Sequence, residues 1–329
     1  MKNLKITAGL LVLALVGMTA QAETPRLSYE VTGNNLILTY TGTLLQSSDA
    51  VNWSEVVSAS SPYKIALSDK KLFFCTEGVG SKDFTIPLSN TVNLDLIWIE
   101  PGTFMMGSPE NELGRFDDET QHQVTLTQGY WLGKYKVTQA QYKAVMGANP
   151  SEFSGDNNPV ECVSWNDAMA FCAKLTEIEK AASRLPVGYE YTLPTEAQWE
   201  YACRAGTTTA LNSGKNLSDE GQCPEMDEVG WYDCNSDETT HPVGLKLPNV
   251  WGLYDMHGNV WEWCLDWYGA YPTSSVMDPK GAGTGSGRVL RGGSWNYYAS
   301  ICRSAIRFLN SPSNDYDNYG FRVALAPVK

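Results

Sequence analysis

The chain has 329 residues, with 37 acidic against 24 basic side chains and a formal net charge of −13. This charge argues against nucleic acid or an anionic membrane surface as a partner. A hydrophobic content of 43%, with 11 Trp and 17 Tyr, excludes a disordered protein, and beyond the N-terminus no stretch is apolar for long enough to insert into a membrane.

Residues 1–22 have the features of a secretory signal peptide. Two lysines precede an apolar run over 6–16, and Ala20-Gln21-Ala22 matches a small-x-small cleavage site. We therefore expect export to the periplasm or the extracellular space. An exported chain meets an oxidising environment, so its eight cysteines favour disulfides.

Residues 23–90 predict a small β module followed by a linker. Asn34-Asn35 separates two apolar segments, which indicates a hairpin, and the polar stretch 88–94 indicates the linker. Strands are predicted at 27–32, 36–40, 56–58, 63–67 and 72–75. The module contains three aromatic residues, Trp53, Tyr63 and Phe73. Because apolar side chains are mostly buried, we expect them to form a small core, the alternative being a surface that stacks on sugars.

Residues 91–329 predict one large domain with few helices. Three residues have the character of helix N-caps, two of them with Gln three positions later; they are Thr138, Ser164 and Thr195. The helices are expected at 139–146, 166–179 and 196–203, and strands at 96–99, 124–126 and 130–132. His122 has no second His or Cys at ligand spacing, so it is weak evidence for a metal.

The stretch 252–263 packs two Gly, two Trp, a Tyr, a His and two carboxylates into twelve residues without a simple period. Folded back, it can bring Asp255 and Glu262 with backbone carbonyls to one point, as a calcium site requires. The alternative is a turn between two core aromatic residues, with both acids in solvent.

Six motifs occur in the order of the formylglycine-generating enzyme (sulfatase-modifying factor) family, which the chain resembles over roughly 97–328. They are Gly102-x-Phe104-x-Met106-Gly107-Ser108, Val137-Thr138-Gln139-x-Gln141-Tyr142, the segment 159–168 with Val163-Ser164-Trp165, the segment 193–204 from Leu193-Pro194-Thr195 to Cys203-Arg204, the stretch 252–263, and Arg291-Gly292-Gly293-Ser294-Trp295 with Gly320-Phe321-Arg322. The resemblance implies a loop-rich α+β fold of the C-type-lectin-like kind. It also implies oxidation of a sulfatase cysteine to formylglycine, with copper held by two thiolates, and structural calcium.

The two family thiolate positions are not both cysteines in this chain. Counted forward from the 292–294 motif they fall on Tyr297 and Cys302, and counted back from the C-terminal motif they fall on Ser294 and Ala299. Copper(I) is held by soft thiolate ligands. Copper is therefore not expected, and Cys302 is the one candidate catalytic residue.

The resemblance also implies a disulfide between the positions of Cys203 and Cys302. Separately, Cys223 and Cys234 are close enough in sequence to close a local loop, and the other four cysteines stay unassigned.

Several residues match binding positions of the family. Those of the substrate groove are Ser294, Trp295, Asn318 and Trp261. Those of one calcium site are the side chains of Asp255 and Glu262 with the carbonyls of Gly258 and Val260. Asp233 and Asp237 are candidates for a second calcium site.

Three functions remain open from the sequence. The first is an exported family member that binds a peptide or other ligand, such as a sulfatase, without copper chemistry. The second is a formylglycine-generating oxidase with an atypical site. The third is a cell-envelope recognition or scaffold protein that binds through its N-terminal β module.

The signal sequence yields the first testable prediction. Cleavage after Ala22 should leave Glu23 at the N-terminus of the mature protein, because the small residues at 20 and 22 suit the cleavage site. Intact-mass spectrometry of protein from the native host measures this directly. Protein that retains Met1 in the cytosol would contradict the prediction.

Overall fold

The structure, a computed structural model, describes residues 82–328 and six strands between 27 and 77. The chain divides into two compact units, residues 1–82 and 83–329. The predicted signal peptide, Trp53 and the predicted strand at 56–58 lie outside the described residues.

The first unit contains two three-stranded antiparallel sheets, with strand orders β1-β2-β5 and β4-β3-β6. Its strands are β1 Leu27–Thr32, β2 Asn35–Tyr40, β3 Thr43–Ser47, β4 Ser54–Glu55, β5 Tyr63–Ala66 and β6 Phe73–Glu77. The predicted hairpin is confirmed, because β1 and β2 pair from Leu27 opposite Tyr40 to Thr32 opposite Asn35. The sequence does not predict β3.

The second unit consists mainly of short strands joined by long loops. They are β7 Phe84–Pro87, β8 Asn93–Ile99, β9 Gly102–Met106, β10 His122–Leu126, β11 Tyr130–Gly133, β12 Tyr189–Thr192, β13 Gly230–Trp231, β14 His257–Gly258, β15 Trp261–Trp267, β16 Val276–Met277, β17 Arg288–Arg291, β18 Arg307–Asn310, β19 Tyr319–Gly320 and β20 Ala324–Pro327. The main sheets have the orders β12-β20-β11-β8-β7, β18-β17-β15-β19 and β16-β10-β9, and β13 pairs with β14.

The three predicted helices are present, the first and third beginning at the predicted residue and the second one residue earlier, and two short helices were not predicted. The helices are α1 Gln139–Met146, α2 Trp165–Ala181, α3 Glu196–Arg204 and α4 Pro224–Asp227, with a 3-10 helix at Ala299–Cys302. Thr138, Ser164 and Thr195 each form a capping box with the residue three positions later, which satisfies two backbone donors at each helix start. The predicted loop-rich α+β fold is confirmed. None of the described helices has the length and apolar character needed to cross a bilayer.

The stretch 88–94 is not a linker. β7 and β8 pair from Phe84 opposite Leu96 to Pro87 opposite Asn93, and the turn between them closes where Leu88 N donates to Val92 O. Although the stretch is polar, alternate strand residues such as Leu94 are buried on one face. The second unit therefore begins before this hairpin, rather than after residue 90.

The larger core cluster joins α1, α2 and the C-terminal strands through aromatic rings. Phe171 of α2 stacks on Tyr142 of α1 with ring centroids 5.6 Å apart, and meets Phe321 edge-on at 5.2 Å. All three side chains are buried. Phe171 thus connects both helices to the segment between β19 and β20.

This packing yields a stability prediction. Phe171→Ala should lower the free energy of unfolding by about 3–5 kcal/mol, because it removes a fully buried ring and leaves a cavity. Ile178→Ala, at an exposed position of the same helix, should change it by no more than about 0.5 kcal/mol. Urea unfolding of both variants measures the difference, and equal effects would refute this account of the core.

Candidate functional site

The stretch 252–263 leads into β15, an inner strand of the four-stranded sheet. β15 pairs with β17 through Glu262 opposite Arg291, and β17 pairs with β18 through Arg291 opposite Arg307. Because side chains alternate along a strand, these three charged residues lie on one face of the sheet and Trp261 and Trp263 on the other.

The charged face is buried against α3. Arg291 donates to Glu200, and Arg307 Nε donates to Glu196 Oε1 at 2.6 Å. Burial raises the pKa of Glu196, but Arg307 and Arg291 outweigh this effect and lower it below its usual value. These carboxylates are therefore held as ion pairs, which suits a structural role better than proton transfer.

Glu262 accepts hydrogen bonds from three side chains that come from distant parts of the chain. Oε1 accepts from Lys136 Nζ at 2.5 Å and Arg322 Nη2 at 3.2 Å, and Oε2 accepts from Trp199 Nε1 at 2.9 Å and Arg322 Nε at 3.1 Å. Burial raises the pKa of Glu262, yet Arg322 and Lys136 outweigh burial and hold that pKa at about 2. Glu262 is thus a carboxylate with both oxygens engaged.

The other predicted calcium carboxylate, Asp255, has one oxygen engaged. Its Oδ2 accepts from Gly244 N at 2.7 Å, whereas Oδ1 is buried without a hydrogen-bond partner among the described residues. At Gly258 the backbone has a φ of +71°, and a Cβ there would lie 1.9 Å from the Trp231 carbonyl oxygen, so only glycine fits. Glu262 is thus already paired within the chain, whereas Asp255 keeps one oxygen without a partner among the described residues, and the calcium site stays a prediction.

The remaining metal candidates are dispersed. Asp233 and Asp237 are both exposed. His122 is buried, with Nδ1 3.0 Å from the Thr120 carbonyl oxygen. No group of three or more His, Cys, Asp or Glu suited to a metal occurs among the described residues.

The predicted disulfides are not present. All seven described cysteines are free thiols; they are Cys162, Cys172, Cys203, Cys223, Cys234, Cys264 and Cys302. The His257 ring contacts both Cys203 and Cys302. Its Nε2 is 4.0 Å from Cys203 Sγ, and its Nδ1 donates to the Cys302 carbonyl oxygen at 2.7 Å. Cys223 is buried beside Glu225 while Cys234 is exposed, which separates the second predicted pair.

Cys302 is unsuited to hold copper. The 3-10 helix turns its side chain inward, where Sγ lies 3.8 Å from the Ser294 carbonyl oxygen. Burial raises the pKa of this thiol to about 12. A copper(I) site requires deprotonated thiolates, and the alternative thiol position, Tyr297, carries a phenol. The donor set therefore does not fit the family's copper centre.

The opposite face of the sheet carries aromatic side chains. Trp261 is 1% exposed and forms the floor, with Tyr297 edge-on at 5.7 Å and Phe308 stacked at 5.5 Å. Tyr319 lies opposite Trp261 in β19, and Tyr316 meets Tyr319 edge-on at 5.1 Å. We call these five residues the aromatic face. Phe308 and Tyr316 are 37% and 51% exposed, so these two rings reach solvent, whereas Trp261 and Tyr319 lie buried beneath them.

A row of polar side chains borders the aromatic face. Ser294 Oγ and Asn318 Nδ2 both donate to Asn296 Oδ1, at 2.8 Å and 3.0 Å. The Trp261 backbone N donates to the Asn318 carbonyl oxygen, and Trp295 Nε1 donates to the Asp317 carbonyl oxygen at 3.3 Å. The structure thus brings the four predicted groove residues together.

Sequence reasoning missed four residues of this region, which are Phe308, Tyr316, Lys136 and Arg322. The alternation around 307–310 is too short to indicate which face of the sheet Phe308 occupies. Arg322 belongs to a quoted motif, but nothing local in the sequence identifies its partner. Lys136 lies between two apolar residues shortly before the N-cap of α1. A lysine at such a position is buried only when it has a charged partner, and this is the signal that could have identified it.

Comparisons with known proteins show which family this chain is similar to. A sequence model of the family described as "Sulfatase-modifying factor enzyme 1-like domain" matches residues 85–327. The formylglycine-generating enzyme of Mus musculus is 35% identical over 213 residues, which cover 62% of this chain and 53% of that protein. The chaperone protein LppX of Paenibacillus barcinonensis is 32% identical over 243 residues, covering 63% and 80% of the two chains. The chain thus spans about half the length of its mouse relative.

Among solved structures, Treponema denticola variable protein 1 has a similar fold. It superposes with a TM-score of 0.66 at 33% identity, covering 75% of this chain and 99% of that one.

The buried thiols yield a labelling prediction. In native protein, alkylation should occur at exposed Cys234, slowed because partial burial and neighbouring Asp233 raise the pKa of its thiol. It should be absent at Cys203 and Cys302, because both are inaccessible and burial raises the pKa of these thiols to about 12. In denaturant without reductant, both should react completely. Peptide mass spectrometry measures alkylation at each site. If Cys203 and Cys302 stay unalkylated in denaturant until reductant is added, the two residues form a disulfide.

Proposed function

This chain belongs to the sulfatase-modifying factor family, and we propose that it is a ligand-binding member that recognises a peptide or protein segment on its aromatic face. In this proposal it does not oxidise a cysteine through copper. Export by the signal sequence would place the binding domain outside the cytoplasm.

The observation that carries the proposal is the position of Cys302. This cysteine is buried beneath the Ser294 carbonyl, and Tyr297 lies against Trp261 where a second thiolate would be needed. Binding and turnover rest on different residues, so a groove can persist after its chemistry is lost.

The composition of the region supports recognition of another macromolecule. Tyr and Trp offer large, rigid contact areas at low cost in side-chain entropy, and Ser and Asn offer adaptable hydrogen bonds. The aromatic face supplies the first kind, and exposed Asn296, held in place by hydrogen bonds from buried Ser294 and Asn318, supplies the second. The indole N–H of Trp261 is buried and has no hydrogen-bond partner among the described residues, so a donor lies beneath the face.

The charge around the face indicates the kind of segment that fits. Asp315 is exposed beside Tyr316, and Asp317 follows on the same loop. The whole chain is acidic as well, at −13. A segment with an aromatic or apolar anchor flanked by Lys or Arg is complementary to this surface, and an acidic segment is not.

Two neighbouring residues provide a matched test. Phe308 and Leu309 are each 37% exposed on β18, but Phe308 stacks on Trp261 while Leu309 points to the other face of the strand, near Gly287. Phe308→Ala should therefore weaken ligand binding and Leu309→Ala should not.

The experiment pans a displayed random peptide library against the purified protein and measures the affinity of enriched clones. We expect anchor-containing basic peptides whose affinity falls at least about tenfold with Phe308→Ala, and stays unchanged with Leu309→Ala. Clones that are insensitive to Phe308→Ala would contradict the proposal.

The oxidase alternative is tested in parallel with a sulfatase-type cysteine peptide, copper and oxygen. Because the Cys302 thiol is buried and protonated, no aldehyde should form. Formation of formylglycine that is lost on Cys302→Ser would overturn the proposal and favour the activity named for the mouse relative.

A further inference from the structure

Lys136 occupies an unusual place for a lysine. It lies between β11 and the capping box of α1 and is completely buried. Its ammonium is 2.5 Å from Glu262 Oε1, and it also interacts electrostatically with Asp255. Lysine is almost never fully buried unless it is paired. The stretch 252–263 thus folds around a cation that belongs to the chain.

The charges of this cluster already balance. Burial raises the pKa of Asp255 and lowers that of Lys136, and with all four groups ionised Asp255 and Glu262 contribute two negative charges while Lys136 and Arg322 contribute two positive charges. A calcium ion added to this set would leave two positive charges uncompensated, which is costly in a medium of low polarity. It would also have to displace donors from both oxygens of Glu262.

We propose that the Lys136 ammonium, paired with Glu262 and attracted by Asp255, takes the place of a calcium ion at this loop, so that the loop folds and stays closed without metal. The loop keeps the ligand types of a calcium site, namely two carboxylates and the carbonyls of Gly258 and Val260. Lysine reaches that position from outside the loop and supplies the positive charge that prevents the two acids from repelling each other.

The experiment compares melting temperatures with a calcium chelator and with millimolar calcium. The wild-type value should be the same in both, and elemental analysis should find no calcium in the purified protein. Lys136→Ala should melt at least about 6 °C lower in chelator, because a buried charge loses its partner, and calcium should restore much of this loss by entering the space that the side chain vacates.

Two further variants make the test specific. Lys136→Met fills the same space without charge, so it should be destabilised and insensitive to calcium. Lys215→Ala removes an exposed lysine paired with Glu228 and should change nothing. If Lys136→Ala fails to fold in chelator, its refolding yield with added calcium replaces the melting temperature.

Three results would overturn the proposal. They are wild-type protein that loses stability on chelation, wild-type protein that retains calcium through purification, and Lys136→Ala protein that calcium does not stabilise. The last result would show that Lys136 makes an ordinary ion pair with no cation site around it.

Discussion

The paired carboxylate of Glu262 holds the second unit together. Its partners come from the segment before α1, from α3 and from the segment after β19, through Lys136, Trp199 and Arg322. A buried ion pair adds little net stability compared with apolar packing, but removing one partner costs about 3–5 kcal/mol because a charge is left uncompensated. The three ion-pair and hydrogen-bond partners therefore determine which segments meet at Glu262. The loops around β15 are positioned by these contacts.

Side chains of β15, β17 and β18 alternate between the two faces of the sheet, and the two faces have different roles. One face of the sheet holds the ion pairs with α3 that keep the frame rigid, and the other presents the aromatic face to solvent. Substitutions on the aromatic face do not disturb the buried charges, because the backbone of the sheet lies between them. A rigid frame with an independent surface is what a recognition domain requires, since ordering a flexible surface on binding would weaken affinity.

The sequence predicts features that depend on near neighbours and fails on those that depend on distant pairs. The three capping boxes need residues three apart, and each is present. The sequence does not predict the hairpin of β7 and β8, because the polar residues of the stretch 88–94 form its turn. Burial of Leu94 depends on residues that pack against it from elsewhere in the chain. One partner of Glu262, Lys136, lies 126 residues away in the sequence, so spacing within the stretch 252–263 cannot indicate this ion pair. Cysteine identity alone likewise could not reveal that His257 contacts both Cys203 and the backbone of Cys302.

The long separation of the buried charges has a consequence for how the protein folds. Lys136 and Glu262 are 126 residues apart, and Arg303 and Glu119 are 184 apart. Such contacts give a high contact order, and chains of this kind search slowly for their native topology. The capped helices can form early from local interactions, while the charged side chains stay hydrated until their partners arrive. Pairing of these charges requires that distant segments have already met, so it cannot be an early, local step of folding.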